Sequence, residues 1–304
     1  KIVNGVTIIL AITLWLPSFF LSTDFNVSML ISTQIKWLDI VLSLSLIAGQ
    51  AIYLNFIVNE YKLIQQNSHL TSFFFVVLNS FCVLMLNLNE VILANVFILI
   101  AFHQILKLYD VKNDLSYIFN AGFLIAIASL LYLPNVLFFV LIWVGLIYMT
   151  TSKVRDFIVS IIGFSVPMIY FFSYKFVTGS LSEFQISEYL FSIFNVEYSE
   201  VTLFMKMNLI ILSVMIILSF MSLTTVLRKG VVRTRKMIVT VFFMSFIGVC
   251  SLLLNKVDYL ATFIMITIPL SIIMANYFQN LKKKWIGELV ISIFLVSIVL
   301  SYFL

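Results

Sequence analysis

Long apolar runs separated by short polar breaks form the dominant pattern of this chain. A transmembrane helix needs about 17–25 predominantly apolar residues, and the runs predict eleven such segments. The predicted spans are 6–21, 37–58, 70–87, 91–106, 117–133, 135–150, 157–173, 207–226, 238–254, 259–276 and 286–304. Several are close to the lower limit of length, so re-entrant segments are an alternative within 70–106 and 117–150. The pattern predicts an all-α fold: a polytopic transmembrane helical bundle, in a single integral membrane domain over residues 1–304.

The longest polar break, residues 174–206, contains a periodicity of its own. Ile186, Tyr189, Leu190 and Ile193 follow the spacing of one helical face. This spacing predicts a short amphipathic helix at the membrane interface. The segment has no basic face, so we expect it to pack on the protein's own spans.

Basic residues fall mostly on one side of the predicted membrane. When the breaks are numbered alternately from the N-terminus, fourteen of the 18 Lys and Arg lie on the first side and four on the second. Cytoplasmic loops carry such an excess, so the pattern predicts the N-terminus inside and the C-terminus outside. It also explains the net charge of +5 without a nucleic-acid partner.

Composition supports lipid as the solvent. The chain is 62% hydrophobic and 10% charged, against about 45–50% and about 25% in ordinary soluble domains. A soluble fold of this length would leave large apolar patches exposed. The residues assign no cofactor, because the two cysteines and two histidines show no metal-ligand spacing.

Polar residues inside the predicted spans have two readings. Gln50, Asn55, Asn79, Asn95 and Asn208 lie at membrane depth, where such a residue finds a partner either across a helix interface, which is the commoner case, or in a water-filled cavity. His103, one turn before Lys107 near the inner interface, is interpreted as an interfacial hydrogen-bonding residue rather than a proton relay. No carboxylate or charged pair lies deep in a span, which disfavours a proton-coupled transporter.

Two carboxylates on the predicted outer side are the candidate catalytic residues. Asp24 follows the first span, and Glu90 lies in the tight connection between the third and fourth spans. A carboxylate at this surface can act as a general base toward an acceptor hydroxyl or hold a divalent cation. Whether a metal binds there stays open. The alternative interpretation is a solvated acidic face.

The segments "FNAGFLIAIASLLYLPNVLFF", residues 119–139, and "IVSIIGFSVPMIYFF", residues 158–172, carry a resemblance. They resemble an uncharacterised family of polytopic inner-membrane proteins of Bacteroidota, which has no assigned activity. More distantly, the order of spans is similar to the GT-C membrane glycosyltransferases. That similarity implies a catalytic acid in the first outer loop, which Asp24 matches by position, with Glu90 in the second. The first outer loop is shorter here than in those enzymes and contains no D-x-D or E-x-D pair.

Three hypotheses about function follow, all for a multi-pass protein of the bacterial inner membrane. The first is a GT-C-like glycosyltransferase of the cell envelope, or a degenerate relative, which uses a polyprenyl-phosphate-linked sugar. The second is a non-catalytic subunit that binds other membrane subunits of an envelope complex. The third is a transporter or flippase. Membrane lipid is the partner that all three share.

Overall fold

The computed structural model describes residues 13–14, 36–64, 68–81, 88–110, 115–179, 203–254, 259–281 and 283–303. Within these residues the secondary structure is helical. The α-helices are α1 Lys36–Glu60, α2 Leu70–Asn79, α3 Glu90–Lys107, α4 Leu115–Leu131, α5 Phe139–Met149, α6 Val154–Val177, α7 Leu203–Lys229, α8 Val232–Leu254, α9 Tyr259–Gln279 and α10 Lys284–Phe303. A 3₁₀ helix, Leu133–Phe138, joins α4 to α5. The predicted all-α fold is confirmed.

The described residues support fewer membrane spans than the eleven predicted. In the described part of the chain, five helices are long and apolar enough to cross a membrane: α1, α3, α6, α8 and α9. The segments 70–79, 115–131, 133–149 and 208–221 are apolar but shorter. In the described part of the predicted span 70–87, residues 70–81, the helix covers Leu70–Asn79; at its end Asn79 Nδ2 donates to Phe75 O (2.8 Å) and Ser80 Oγ donates to Val76 O (2.7 Å). Side chains that bond nearby carbonyls in this way favour a helix end.

The predicted polar break 174–206 is also shorter than the sequence indicated. Helix α6 continues to Val177, because its apolar residues run on through Phe176, and α7 begins at Leu203. The predicted amphipathic helix of residues 181–194 lies outside the described residues, as does most of the predicted span 6–21.

Helix α9 lies at the centre of the bundle. Every residue from 264 to 276 is buried, which is expected of a helix that is apolar all round. Helices α2, α3, α7 and α8 pack around it. Phe74 of α2 contacts Phe278 near one end of α9, and Phe81 contacts Phe263 near the other.

Helix α6 lies at the periphery and packs against α4 through a narrow stripe. Its buried residues are Asp156, Ser160, Gly163 and Pro167, which recur at helical spacing on one face. The two backbones meet at glycines: a Cβ added to Gly122 of α4 would lie 2.6 Å from the Ser160 carbonyl oxygen. Small residues allow such close approach between membrane helices. The remaining faces of α6 are apolar and exposed, as suits a lipid environment.

Four of the polar connections meet at one end of the bundle. Arg233 at the start of α8 contacts Asp110 after α3, and its guanidinium lies over the Tyr61 ring after α1. Asn276 Nδ2 of α9 lies 3.4 Å from the Leu63 carbonyl oxygen. The ends of α1, α3 and α9 and the start of α8 are therefore at the same level. We call this the Glu60 end.

Candidate functional site

A group of three polar side chains, Tyr53, His103 and Glu60, joins α1 to α3 close to the Glu60 end. Tyr53 and Glu60 are seven residues apart on α1, so they share a helical face. His103 of α3 lies between them. Its Nδ1 is 2.5 Å from the Tyr53 hydroxyl, and its Nε2 is 3.4 Å from Glu60 Oε2. The first distance is that of a short hydrogen bond. The second is within the range of an ion pair but is too long for an ordinary hydrogen bond.

The imidazole is almost sealed from solvent, although the carboxylate beside it is not. His103 is 6% exposed, and the side chain of Glu60 is 42% exposed. The rings of Tyr53, Phe56 and Tyr61 surround the imidazole, with ring centres 5.6 to 6.3 Å away. Ionisable residues inside membrane helices are rare and commonly functional. The structure therefore makes His103 a stronger candidate than the sequence did.

Tyr61 follows directly after α1 and links this group to the charged residues of the Glu60 end. Burial raises the pKa of the Tyr61 hydroxyl well above its usual range; the charges of Glu60 and Asp110 add to that rise, and Arg233 opposes it. Tyr61 therefore stays neutral at any physiological pH. It can donate or accept a hydrogen bond without contributing a charge.

A second polar pair joins the same two helices nearer to the middle of the bundle. Gln50 Nε2 donates to the carbonyl oxygen of Ile92 at 3.0 Å, and Asn95 Nδ2 donates to Gln50 Oε1 at 3.2 Å. All three residues are buried. The predicted role of Gln50 and Asn95 as hydrogen-bonding residues between helices agrees with these contacts.

An open groove of about 360 Å³ lies between α1 and α3, beside both polar groups. Helix α1 contributes Ser45, Leu46, Gly49, Gln50 and Tyr53, and α3 contributes Val96, Leu99 and Ile100. These positions fall on one face of each helix, and the walls are largely apolar. Gly49 faces the open space of this groove: a Cβ added there would meet nothing within 4 Å.

Cations and aromatic rings alternate at the Glu60 end. Arg233 Nη2 donates to Asp110 Oδ2 at 2.7 Å, and the guanidinium lies over the rings of Tyr61 and Tyr109 at 5.6 and 5.8 Å. Lys236 Nζ lies 5.9 Å from the centre of the Tyr109 ring. Cation–π contacts at such distances are worth roughly 0.5–1 kcal/mol at exposed sites. They hold together helices that are distant in sequence.

Of the two carboxylates predicted as catalytic, the structure describes Glu90 but not Asp24. Glu90 is the first residue of α3 and is partly exposed; Asn89 caps the helix, its side chain accepting from the Val91 N–H at 2.6 Å. A carboxylate in the first turn of a helix interacts favourably with the helix dipole, which gives Glu90 a structural role whether or not it has another. Asp24 lies outside the described residues.

Glu90 and His103 occupy opposite ends of α3. They are thirteen residues apart, which corresponds to about 20 Å along the axis. The predicted site and the observed polar group are therefore separate. In the described ranges, no cluster of three or more His, Cys, Asp or Glu could hold a metal ion.

The sequence analysis did not bring Tyr53, Glu60 and His103 together, although the sequence contained a partial signal for this group. Tyr53 and Glu60 at a spacing of seven, on a helix that also carries Gln50, define a polar stripe on an apolar span. Nothing in the sequence indicates that this stripe faces His103 rather than another helix. The groove had a weaker signal, because Gly49 is one of several glycines within apolar runs.

Helices of this length and composition, packed around a central apolar helix, are typical of membrane proteins. A protein-family model described as "Family of unknown function (DUF6427)" matches residues 2–304, so the chain belongs to that family. The match extends well beyond the two segments on which the predicted family resemblance was based. No curated protein and no solved structure matches the chain.

Proposed function

We propose that the protein is a multi-pass membrane protein that binds a lipid or lipid-linked amphiphile in the groove between α1 and α3. The groove carries this proposal. It is an apolar cleft with a few polar atoms, which is the usual character of a site for small ligands, and its 360 Å³ lies within their common range of about 300–1,000 Å³.

Position favours a lipid over a water-soluble ligand. Both helices that form the groove are of membrane-spanning length and composition. Apart from Glu60 at its end, the exposed residues described on α1 beyond the groove are also apolar, Trp37, Leu38 and Val41 among them. A hydrocarbon chain can enter such a cleft sideways from the bilayer, while a polar solute would first have to leave water.

The two ends of the groove differ in polarity, and this difference suggests how an amphiphile lies in it. Toward the Glu60 end, Tyr53 leads to His103, and Lys107 follows one turn later on α3. Toward the other end, Leu46 and Ser45 lead into the apolar part of α1. We infer that the chain occupies the apolar part and that the polar group lies beside Tyr53.

The same proposal includes a location and an orientation. The connections that meet at the Glu60 end carry Lys62, Lys107, Arg233, Arg235 and Lys236. By the positive-inside rule this end faces the cytoplasm, in the inner membrane of a bacterium. The contacts between these connections support a common side for them.

A glycosyltransferase remains the more specific version of the proposal. In it, the groove holds the hydrocarbon part of a lipid-linked donor that lies the other way round, with its headgroup at the Glu90 end, where Asp24 and Glu90 carry out the chemistry on the outer side. Glu90 is six residues before Val96, the groove residue nearest to it along α3. That separation corresponds to about 9 Å along the helix, so a chain in the groove extends toward Glu90.

Photo-crosslinking in lipid nanodiscs tests lipid binding. The probe is phosphatidylglycerol with a photoactivatable acyl chain, and labelled residues are mapped by mass spectrometry of peptides. We expect saturable labelling at Leu46, Val96 and Ile100, competed by unlabelled lipid, above the non-saturable labelling of Ile161 on the exposed face of α6.

A groove-filling variant provides the critical comparison. Gly49→Leu should abolish the saturable labelling, because its side chain occupies the cleft while its Cβ meets no neighbour. Ile161→Phe adds bulk to a lipid-exposed face elsewhere and should leave groove labelling unchanged. Equal, non-saturable labelling of the groove and of α6 in the unaltered protein would refute the proposal.

A further inference from the structure

We propose that His103 is a proton-binding site whose charge state decides whether Tyr53 offers its hydroxyl proton to the occupant of the groove. This inference rests on the proposed function, since it concerns regulation of the same groove. Tyr53 carries it, because this one side chain lines the groove and also bonds His103.

The neutral imidazole has one tautomer that suits both neighbours. A neutral histidine carries a proton on one ring nitrogen and accepts through the other. With the proton on Nε2, the positive end of the N–H dipole lies near Glu60 Oε2, 3.4 Å from Nε2, and Nδ1 accepts from the Tyr53 hydroxyl at 2.5 Å. The other tautomer would point a lone pair at the Glu60 carboxylate. In the favoured state, the Tyr53 proton is therefore directed at His103 and away from the groove.

Protonation reverses the direction of this hydrogen bond. Both ring nitrogens of a charged histidine are donors, so Nδ1–H donates to the Tyr53 oxygen and Nε2–H keeps its contact with Glu60. No bond other than N–H forms, and the proton comes from water. The Tyr53 hydroxyl must then donate elsewhere. Because Tyr53 lines the groove, we infer that its hydroxyl then donates to the occupant of the groove.

Protonation of His103 therefore favours binding of an amphiphile that has a hydrogen-bond-accepting oxygen at the level of Tyr53, such as an ester or phosphoryl oxygen. An occupant with that oxygen gains a hydrogen bond only when His103 is charged. One hydrogen bond is worth about 0.5–1.5 kcal/mol, so protonation should strengthen binding roughly 2- to 10-fold. By thermodynamic linkage, the occupant strengthens proton binding by the same factor.

The surrounding charges are few and can be tested individually. Helix α1 presents Tyr53, Glu60 and Tyr61 to the imidazole. Helix α3, which carries His103, contributes Lys107. The Lys107 amine lies 5.6 Å from the centre of the Tyr117 ring of α4. Helix α9, which also packs on α3, carries no charged residue. Glu60 is the one acidic group in contact with His103 among the described residues.

Groove labelling as a function of pH is the first measurement. The phosphatidylglycerol probe is used in nanodiscs between about pH 5 and pH 8, the range in which histidine changes charge, with labelling of Ile161 as the internal reference. Saturable labelling of the groove should rise about 2- to 10-fold as the pH falls. Tyr53→Phe should keep the labelling found at high pH and lose the rise. His103→Gln should likewise remove the pH dependence.

Nitrogen NMR of the imidazole is the second measurement and reads the proton directly. The chain has two histidines, His69 and His103, so a His69→Gln variant with ¹⁵N-labelled histidine isolates the signal of His103. Nδ1 should be unprotonated at high pH and protonated at low pH, and added lipid should move the midpoint upward. Tyr53→Phe should abolish the effect of lipid on the midpoint.

The outcomes separate the two proposals. Saturable groove labelling that does not depend on pH, together with a midpoint that lipid does not move, overturns the switch and leaves lipid binding intact. The absence of saturable groove labelling at every pH overturns lipid binding itself. A pH-dependent rise that persists in Tyr53→Phe also overturns the switch, because the hydroxyl is then not the donor.

Discussion

Replacing Gly122 with alanine should destabilise the protein even though alanine is the better helix former. The added Cβ would lie 2.6 Å from Ser160 O and 3.0 Å from Phe164 N of α6. Both atoms belong to the backbone, so the two helices must move apart to relieve the clash. Overpacking of this kind costs about 1–3 kcal/mol, whereas glycine to alanine within a helix gains roughly 0.5–1 kcal/mol. We expect a net loss of up to about 2.5 kcal/mol.

The same substitution at two other glycines makes the test specific. Gly163→Ala should also destabilise, because its Cβ would collide with the Phe119 carbonyl oxygen from the other side of the contact. Gly49→Ala is the matched control: it lies in a helix, and its Cβ meets nothing within 4 Å. Thermal unfolding in a single detergent ranks the three variants. If Gly122→Ala and Gly163→Ala are as stable as Gly49→Ala, then α4 and α6 do not pack as described.

Other contacts give sharp predictions of smaller size. Arg233→Asp and Asp110→Arg should each lower stability by up to about 1 kcal/mol, as expected for a partly exposed pair, and the double variant should recover most of it; an additive double-mutant cycle would contradict the pair. Asn89→Ala should cost about 1 kcal/mol by removing the cap of α3, while Asn89→Ser should cost little; equal unfolding midpoints would exclude the cap. For the glycosyltransferase hypothesis, Asp24→Asn should lower activity by about 10²–10⁴ and Glu90→Gln by less. Full complementation of a deletion strain by Asp24→Asn at normal protein level would exclude that chemistry.

Much of the helical fold could be predicted from the apolar runs, because each lipid-facing helix must satisfy its own backbone hydrogen bonds. The positions of α1, α3 and α9 follow the predicted spans closely, whereas α8 begins six residues earlier than predicted. Helix ends were less predictable. The polar residues Asn79 and Ser80 end α2 within a run that hydropathy alone reads as continuous.

The candidate site could be predicted only in part, because hydropathy does not determine which helices are neighbours. Gln50, Asn95 and His103 were recognised as polar residues that need partners. Their pairing depends on the contact between α1 and α3, which the linear pattern does not contain. Glu60 lies at the end of its span with a 42% exposed side chain, so hydropathy gave no indication that it lies beside a buried histidine.

The direct test of lipid binding is a cryo-electron microscopy structure of the protein in nanodiscs made from native lipid, compared with its Gly49→Leu variant. We predict elongated density between α1 and α3, in contact with Gln50 and with its polar end beside Tyr53, in the unaltered protein, and no such density in the variant. A groove that is empty in the unaltered protein, or closed by contact of the two helices, would contradict the proposal that this protein binds lipid there.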